Sequence, residues 1–304
     1  MMIPFIKYSK FLLGVSIVVT ILSLIALFGW GLKPSIDFTG GSLLEINFSQ
    51  TRPNTEIIGK TMSDLGHANV VIQTTGSNSV ILRTAFLSED EHQQLVQGLR
   101  SALEKDNNKI RENQFQTIGA AVSQQLRQRA FYAVLLVVLS IVVFMAYAFR
   151  TVSFPVASWK YGVAAIVAAM HDVILVMGIF SVLGHYYNIE IDIGFVVALL
   201  TVLSYSVQDT IVVFDRIREN ILHHRNIEFS AMVNQGLNET LARSINTTLT
   251  TLIPLLALYF LGGSTIKNFA LALLIGIASG AYSSIFVASP LLAYAKIWQV
   301  RKEK

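Results

Sequence analysis

Long apolar runs alternate with polar stretches along this chain, and six of the runs are long enough to cross a bilayer core of roughly 30 Å. They cover residues 11–30, 131–149, 161–183, 193–214, 245–261 and 269–295. The first follows Lys7 and Lys10, as the apolar stretch of a signal peptide would. It is longer than the usual ~7–15 residues and has no small-x-small cleavage site, so an uncleaved anchor is expected.

Residues 31–130 have a different rhythm. Residues 42–49 (SLLEINFS) alternate with period two, as a half-buried strand does. Residues 55–65 follow a helical period, and residues 69–75 and 79–86 again read as strands. A helix is predicted over 88–106, with Ser88 as its cap and Glu89, Asp90 and Glu91 in its first turn. A further strand is expected before Gly119. The order β-α-β-β-α-β predicts a ferredoxin-like α+β domain of about 80–100 residues. The expected organisation is residues 1–30 as a short terminus and first span, 31–130 as the inserted domain, and 131–304 as five further spans.

Composition agrees with this pattern. Of the 304 residues, 53% are hydrophobic and 14% are charged, against about 25% charged in soluble domains. An ordinary soluble enzyme, a disordered chain and a disulfide scaffold are all excluded. The absence of cysteine removes disulfides, thiol catalysis and thiolate-bound zinc. The net charge of +4 is better explained by basic loops at a membrane than by nucleic acid.

The placement of that charge sets an orientation. Lys7, Lys10, Arg150, Lys160, Arg216, Arg218, Arg225, Arg243, Lys296, Arg301, Lys302 and Lys304 fall on one side of the predicted spans. The two short loops on the other side hold only Lys267. Both termini and the loop at 215–244 are therefore expected in the cytoplasm, and residues 31–130 outside, since long loops escape the rule. Residues 228–241 are expected to form a helix lying along the cytoplasmic surface.

Two formally charged residues fall inside the apolar windows, Asp172 and Asp209. An ionisable group at that depth costs at least ~2.5–3.5 kcal/mol, so each requires an explanation. Thr201, Ser204, Tyr205, Gln208 and Asp209 recur at i, i+3, i+4, i+7 and i+8, which places them on one helical face. Arg243, Asn246, Thr247 and Thr250 repeat the pattern at the start of the fifth span, and Thr251 extends it. Lipid cannot satisfy such a stripe; it must meet other helices or a wet cavity. Asp209 then either binds and releases a proton, with Arg243 close by, or serves in a static pair that joins helices.

His171-Asp172 follows the small-residue run Ala164, Ala165, Ala168 and Ala169, and either relays protons or packs. Metal binding there is disfavoured, because adjacent helical residues point about 100° apart. Ala272, Gly276, Gly280 and Ser284 recur every four residues and read as a packing face rather than a chemical site. Gly59-Lys60-Thr61 lacks the earlier glycine of a phosphate loop, and neither aspartate carries the GxGD of an intramembrane protease. No enzyme, cofactor or metal is expected.

Asp37-Phe38-Thr39-Gly40-Gly41, directly after the first span, resembles the DFTGG motif of the SecD/SecF protein-export family. His171-Asp172-Val173, the run Ser206–Asn220 (SVQDTIVVFDRIREN) and Arg243-Ser244-Ile245-Asn246-Thr247-Thr248 match further motifs of that family in the same order. Small departures occur at Gln208, at Ser204 and at Ala120. Six spans with one modest domain fit the SecF side of the family. The resemblance implies half of an RND-type bundle whose other six spans come from SecD, often with YajC, beside the SecYEG channel. It implies use of the proton motive force in export of unfolded polypeptide, with the family's functional aspartate on Asp209 and its arginine on Arg243. The alternatives are a subunit of an RND-type small-molecule or lipid exporter and a non-transporting assembly scaffold.

Overall fold

The computed structural model describes residues 2–104, 107–150, 157–223 and 228–302. Arg225 and Lys304, both on the predicted basic side, and Asp106, at the end of a predicted helix, lie outside the described residues. The chain divides into two compact units, Pro34–Phe131 and the combination of Met1–Lys33 with Tyr132–Lys304.

Helix α1 (Phe5–Trp30) opens the second of these units. The unit Pro34–Phe131 contains a short helix α2 (Ile36–Thr39), then β1 (Gly41–Phe48), α3 (Thr55–Asp64), β2 (Val71–Thr75), β3 (Ser79–Thr84), α4 (Glu89–Leu103) and β4 (Ile110–Ile118). The sheet order is β2-β3-β1-β4, and every neighbouring pair is antiparallel. With α3 and α4 as the two crossovers, this is the ferredoxin-like arrangement. Alternation produces the core: Leu44, Ile46 and Phe48 of β1 and Val80 and Leu82 of β3 are buried with Ile58 and Met62 of α3 and Leu95 and Leu99 of α4. Gly59-Lys60-Thr61 lies in the middle of α3, an ordinary helix. Ser88 caps α4 in a reciprocal box, its hydroxyl accepting from the Glu91 amide while Glu91 accepts from the Ser88 amide at 2.8 Å.

The rest of the chain is helical: α5 (Ala120–Ala148), α6 (Ser158–Tyr187), α7 (Ile193–His223), α8 (Phe229–Leu261), α9 (Ser264–Ser283), a π-helical turn Ser284–Ala288, and α10 (Ser289–Lys302). Six helical stretches among the described residues are long and apolar enough to span a membrane, each matching one predicted window. The chain is a multipass membrane protein. Helices α6, α7 and α9 carry most of the buried positions. The alanines at 164, 165, 168 and 169 are all buried. Gly276 of α9 lies so close to Val202 of α7 that a Cβ there would overlap the valine side chain. By contrast, α5 exposes Phe131, Leu135, Leu136, Leu139, Val143 and Phe144, as a lipid-facing helix would.

One expectation is overturned. Residues 228–241 do not form a separate surface helix; they are the first half of α8, continuous with its membrane portion. Phe229, Met232, Val233, Gly236 and Leu237 are buried, and the Gly236 backbone abuts Ile217 of α7. The apolar period that matches a membrane surface equally matches a neighbouring helix, and α7 provides one by running past its apolar window to His223.

Candidate functional site

Asp209 stands on the face of α7 that meets α8. Its Oδ1 accepts a hydrogen bond from Ser244 at 2.8 Å, and its Oδ2 is buried without a partner. One turn earlier, the Tyr205 hydroxyl donates to the Thr247 carbonyl at 3.1 Å and meets the Thr251 hydroxyl at 2.9 Å. Two polar rungs therefore join α7 to α8 at the level of Asp209. From the other side, Ser284 adjoins the same carboxyl group and bonds Thr210 at 2.9 Å. The stripe Ala272-Gly276-Gly280-Ser284 is thus a packing face whose last residue lies beside the aspartate.

Arg243 precedes Ser244 and is near enough for its charge to be felt at Asp209. The two do not form an ion pair. Instead Arg243 lines a cavity of about 490 Å³ at the end of α7 and α8, with Asp215, Arg216, Arg218, Glu219, Glu239 and Thr240. Arg216 bonds Glu239 at 2.7 Å and Glu219 at 2.6 Å, and Asn220 bonds Glu239 at 2.8 Å. The i,i+3 charge pairs follow from helical spacing. The cross-helix partner Glu239 does not, since its position depends on how α7 and α8 pack.

The remaining stripe residues sort by exposure. Thr201, Ser204, Gln208, Arg243, Asn246, Thr247 and Thr250 are all exposed on this chain. The hydroxyls of Thr201, Ser204, Thr247 and Thr250 are satisfied within their own helices by carbonyls one turn back, at 2.8–3.0 Å. Among the described residues, the Gln208 and Asn246 side-chain amides have no hydrogen-bond partner. An exposed polar band at this depth of two membrane helices is incompatible with lipid contact. It marks a face that another protein surface or water must cover.

His171 and Asp172 lie in a separate cluster and not in this band. Asp172 is 0% exposed, bonded to Ser206 of α7 at 2.6 Å and to Ser279 and Ser283 of α9 at 2.5 and 2.6 Å. His171 Nδ1 adds a contact at 3.0 Å. Ser206 and Ser244 entered the sequence reasoning only as members of longer motifs, with no role of their own, and Ser279 and Ser283 did not enter it. Their signal was weak, because a serine in an apolar helix commonly bonds its own backbone; only the four-residue step from 279 to 283 hints at a shared face.

The DFTGG residues build a junction in the other unit. Asp37, Phe38 and Thr39 form α2, with the Ser35 side chain accepting from the Asp37 amide at 3.2 Å. Gly40 and Gly41 both take positive φ, 75° and 121°, and a Cβ on Gly41 would stand 2.7 Å from the Thr84 carbonyl. Any side chain there would be strained by backbone conformation and by contact alike.

Fold and site together define a multipass helical membrane protein with a polar, carboxyl-bearing face set for a partner and an inserted ferredoxin-like domain. Residues 99–298 match the family described as "Protein export membrane protein SecD/SecF, C-terminal", and residues 25–51 match "SecD/SecF GG Motif". The chain belongs to the SecD/SecF protein-export family. It is 42% identical to a protein translocase subunit SecF from Thermobaculum terrenum, over 94% of this chain and 91% of that one. It is 34% identical to a protein translocase subunit SecDF from Thermus thermophilus, over 97% of this chain but 38% of that one. The crystal structure of the translocon-associated SecDF from Thermus thermophilus superimposes with a TM-score of 0.82 at 34% identity, covering 99% of this chain and 39% of the other.

Proposed function

We propose that this chain is the SecF-like half of a SecD–SecF complex that uses the proton motive force to promote Sec-dependent protein export. Asp209 takes up the proton and Arg243 guides its release. The observation that carries this reading is the Asp209 carboxyl itself. Its Oδ1 accepts from Ser244, and its Oδ2 has no hydrogen-bond partner among the described residues although Ser284 lies close by, so the group stands lightly held at the edge of a polar face.

SecD is the partner that covers that face. The SecDF relatives carry both halves in one chain, and this chain spans about 39% of the solved one. The complex sits in the bacterial cytoplasmic membrane with both termini inside and residues 31–130 outside, beside the SecYEG channel and YajC, acting on unfolded exported polypeptide. Protons enter from outside, neutralise Asp209, and leave past Arg243 through the charged end of α7 and α8. Neutralisation loosens the carboxyl from its polar partners and lets the helices shift against SecD. One charge crossing 100 mV yields about 2.3 kcal/mol, enough to bias a conformational equilibrium by more than tenfold.

The test replaces Asp209 by Asn in the complex and measures proton flux and preprotein export in membrane vesicles. Both are expected to fall to background while the complex still assembles. Normal flux and export would exclude the proton-carrier role and leave an assembly scaffold. An exporter of small molecules or lipids would instead lose efflux of its own substrate and retain preprotein export.

A further inference from the structure

Asp172 makes four polar contacts through its two oxygens, three of them from donating serine hydroxyls. Ser279 and His171 Nδ1 reach Oδ1, and Ser206 and Ser283 reach Oδ2. A carboxylate offers about four lone-pair sites, and these contacts approach that number. It differs in that respect from Asp209, whose Oδ2 has no hydrogen-bond partner among the described residues. A fully enclosed carboxyl group bonded to serines of two other helices is placed to hold those helices in register.

What it holds leads directly to Asp209. Ser206 is three residues before Asp209 on α7, and Ser283 immediately precedes Ser284, which adjoins Asp209 and bonds Thr210. Ser283 is the last residue of α9 and Ser284 the first of the π-helical turn. At that step one hydroxyl, Ser283, bonds Asp172, and the next, Ser284, bonds the Gly280 carbonyl and Thr210 close beside Asp209. Single π turns within α-helices frequently occur at functional sites. Gly280 keeps α9 close to Ser206, where a Cβ would come within 3.3 Å.

We propose that Asp172 is a positioning residue for Asp209, fixing Ser206 on α7 and the Ser283–Ser284 step on α9 so that the setting of the proton-carrying carboxyl is held constant. This rests on the proton-carrier reading of Asp209. The other titratable groups around the two carboxyls are His171 from α6, Arg243 from α8 and Tyr205 from α7. Among the described residues of α9 and the π turn, the hydroxyls of Ser279, Ser283 and Ser284 lie nearest them, while the Tyr282 hydroxyl bonds Ser16 of α1 and its ring stacks near His171.

The experiment reconstitutes the full complex with its SecD partner in liposomes and records proton flux against pH. Asp209→Asn is expected to abolish flux. Asp172→Asn is expected to lower it at least tenfold in assembled complex. Ser283→Ala, the milder change, is expected to shift the pH of half-maximal flux by about half a unit or more. Ser181→Ala removes a buried bond to the Ala26 carbonyl elsewhere in the bundle, and is expected to leave that midpoint in place. A purely structural role would move none of the midpoints. If Asp209→Asn stops flux while Asp172→Asn and Ser283→Ala keep both rate and midpoint, the positioning role is overturned and the proton-carrier reading survives. If Asp172→Asn fails to assemble, the Ser283→Ala midpoint decides. Normal flux in Asp209→Asn overturns both.

Discussion

Two aspartates fall within the apolar spans of this protein, and their surroundings differ. Asp172 is enclosed by three serine hydroxyls and the His171 ring, whereas one oxygen of Asp209 has no hydrogen-bond partner among the described residues and lies beside an exposed polar band. Replacing Arg243 by Lys keeps a cation at the end of α7 and α8 but loses the planar donor fork. Proton flux in Arg243→Lys is expected to fall severalfold, and unchanged flux would mean that charge alone matters at this position. Gly276 offers a packing test free of chemistry. Gly276→Val would drive two methyl groups into Val202, with an expected destabilisation of about 1–3 kcal/mol, measurable as a lower unfolding temperature in detergent. The stripe from Thr201 to Asp209 and its echo from Arg243 to Thr250 were legible because helical periodicity alone puts such residues on one face. The serines that hold Asp172 were not, since their partners come from three helices and only packing brings those together.

The elements were legible in proportion to how local their causes are. Six apolar runs produced six helices because length and hydropathy decide that matter without reference to neighbours. The first half of α8 went astray for the opposite reason. Its apolar period is real, but sequence cannot say whether lipid or α7 receives it. In the inserted domain, the cap at Ser88 was readable from the serine with acidic residues behind it. It carries its own prediction. The Ser88 amide and hydroxyl both bond the Glu91 carboxylate, and this holds Glu91 below the usual carboxylate range. A carboxyl lowered in the folded state contributes stability above its unfolded value of about 4.3, and loses it as pH falls through the folded value. Ser88→Ala is expected to destabilise α4 by about 1 kcal/mol at neutral pH. Hydrogen exchange along α4 would show that difference, and it should shrink below about pH 4.

At the scale of the whole molecule, an unfinished face is the dominant feature. Gln208 and Asn246 present side-chain amides in the band around Asp209 without a hydrogen-bond partner among the described residues. Replacing both with Leu leaves the fold intact but removes the polar match. Co-purification with the SecD half is then expected to drop several-fold, while the thermal unfolding of the isolated chain stays unchanged or rises. Retained co-purification would place the partner's contact elsewhere on the bundle.

The continuity of α7 and α8 has a mechanical consequence. With 31 and 33 residues these helices are about 46 and 50 Å long at 1.5 Å per residue, well beyond a hydrocarbon core of roughly 30 Å. On the proton-carrier reading proposed above, the excess, clasped by Arg216, Glu239 and Asn220, would work as a lever arm with its fulcrum near the Asp209 rung. A tilt of about 10° at that fulcrum displaces a tip 15 Å away by about 2.6 Å, comparable to helix shifts known to switch proteins between states. A single proton's worth of rearrangement would thus be amplified by geometry before any partner feels it.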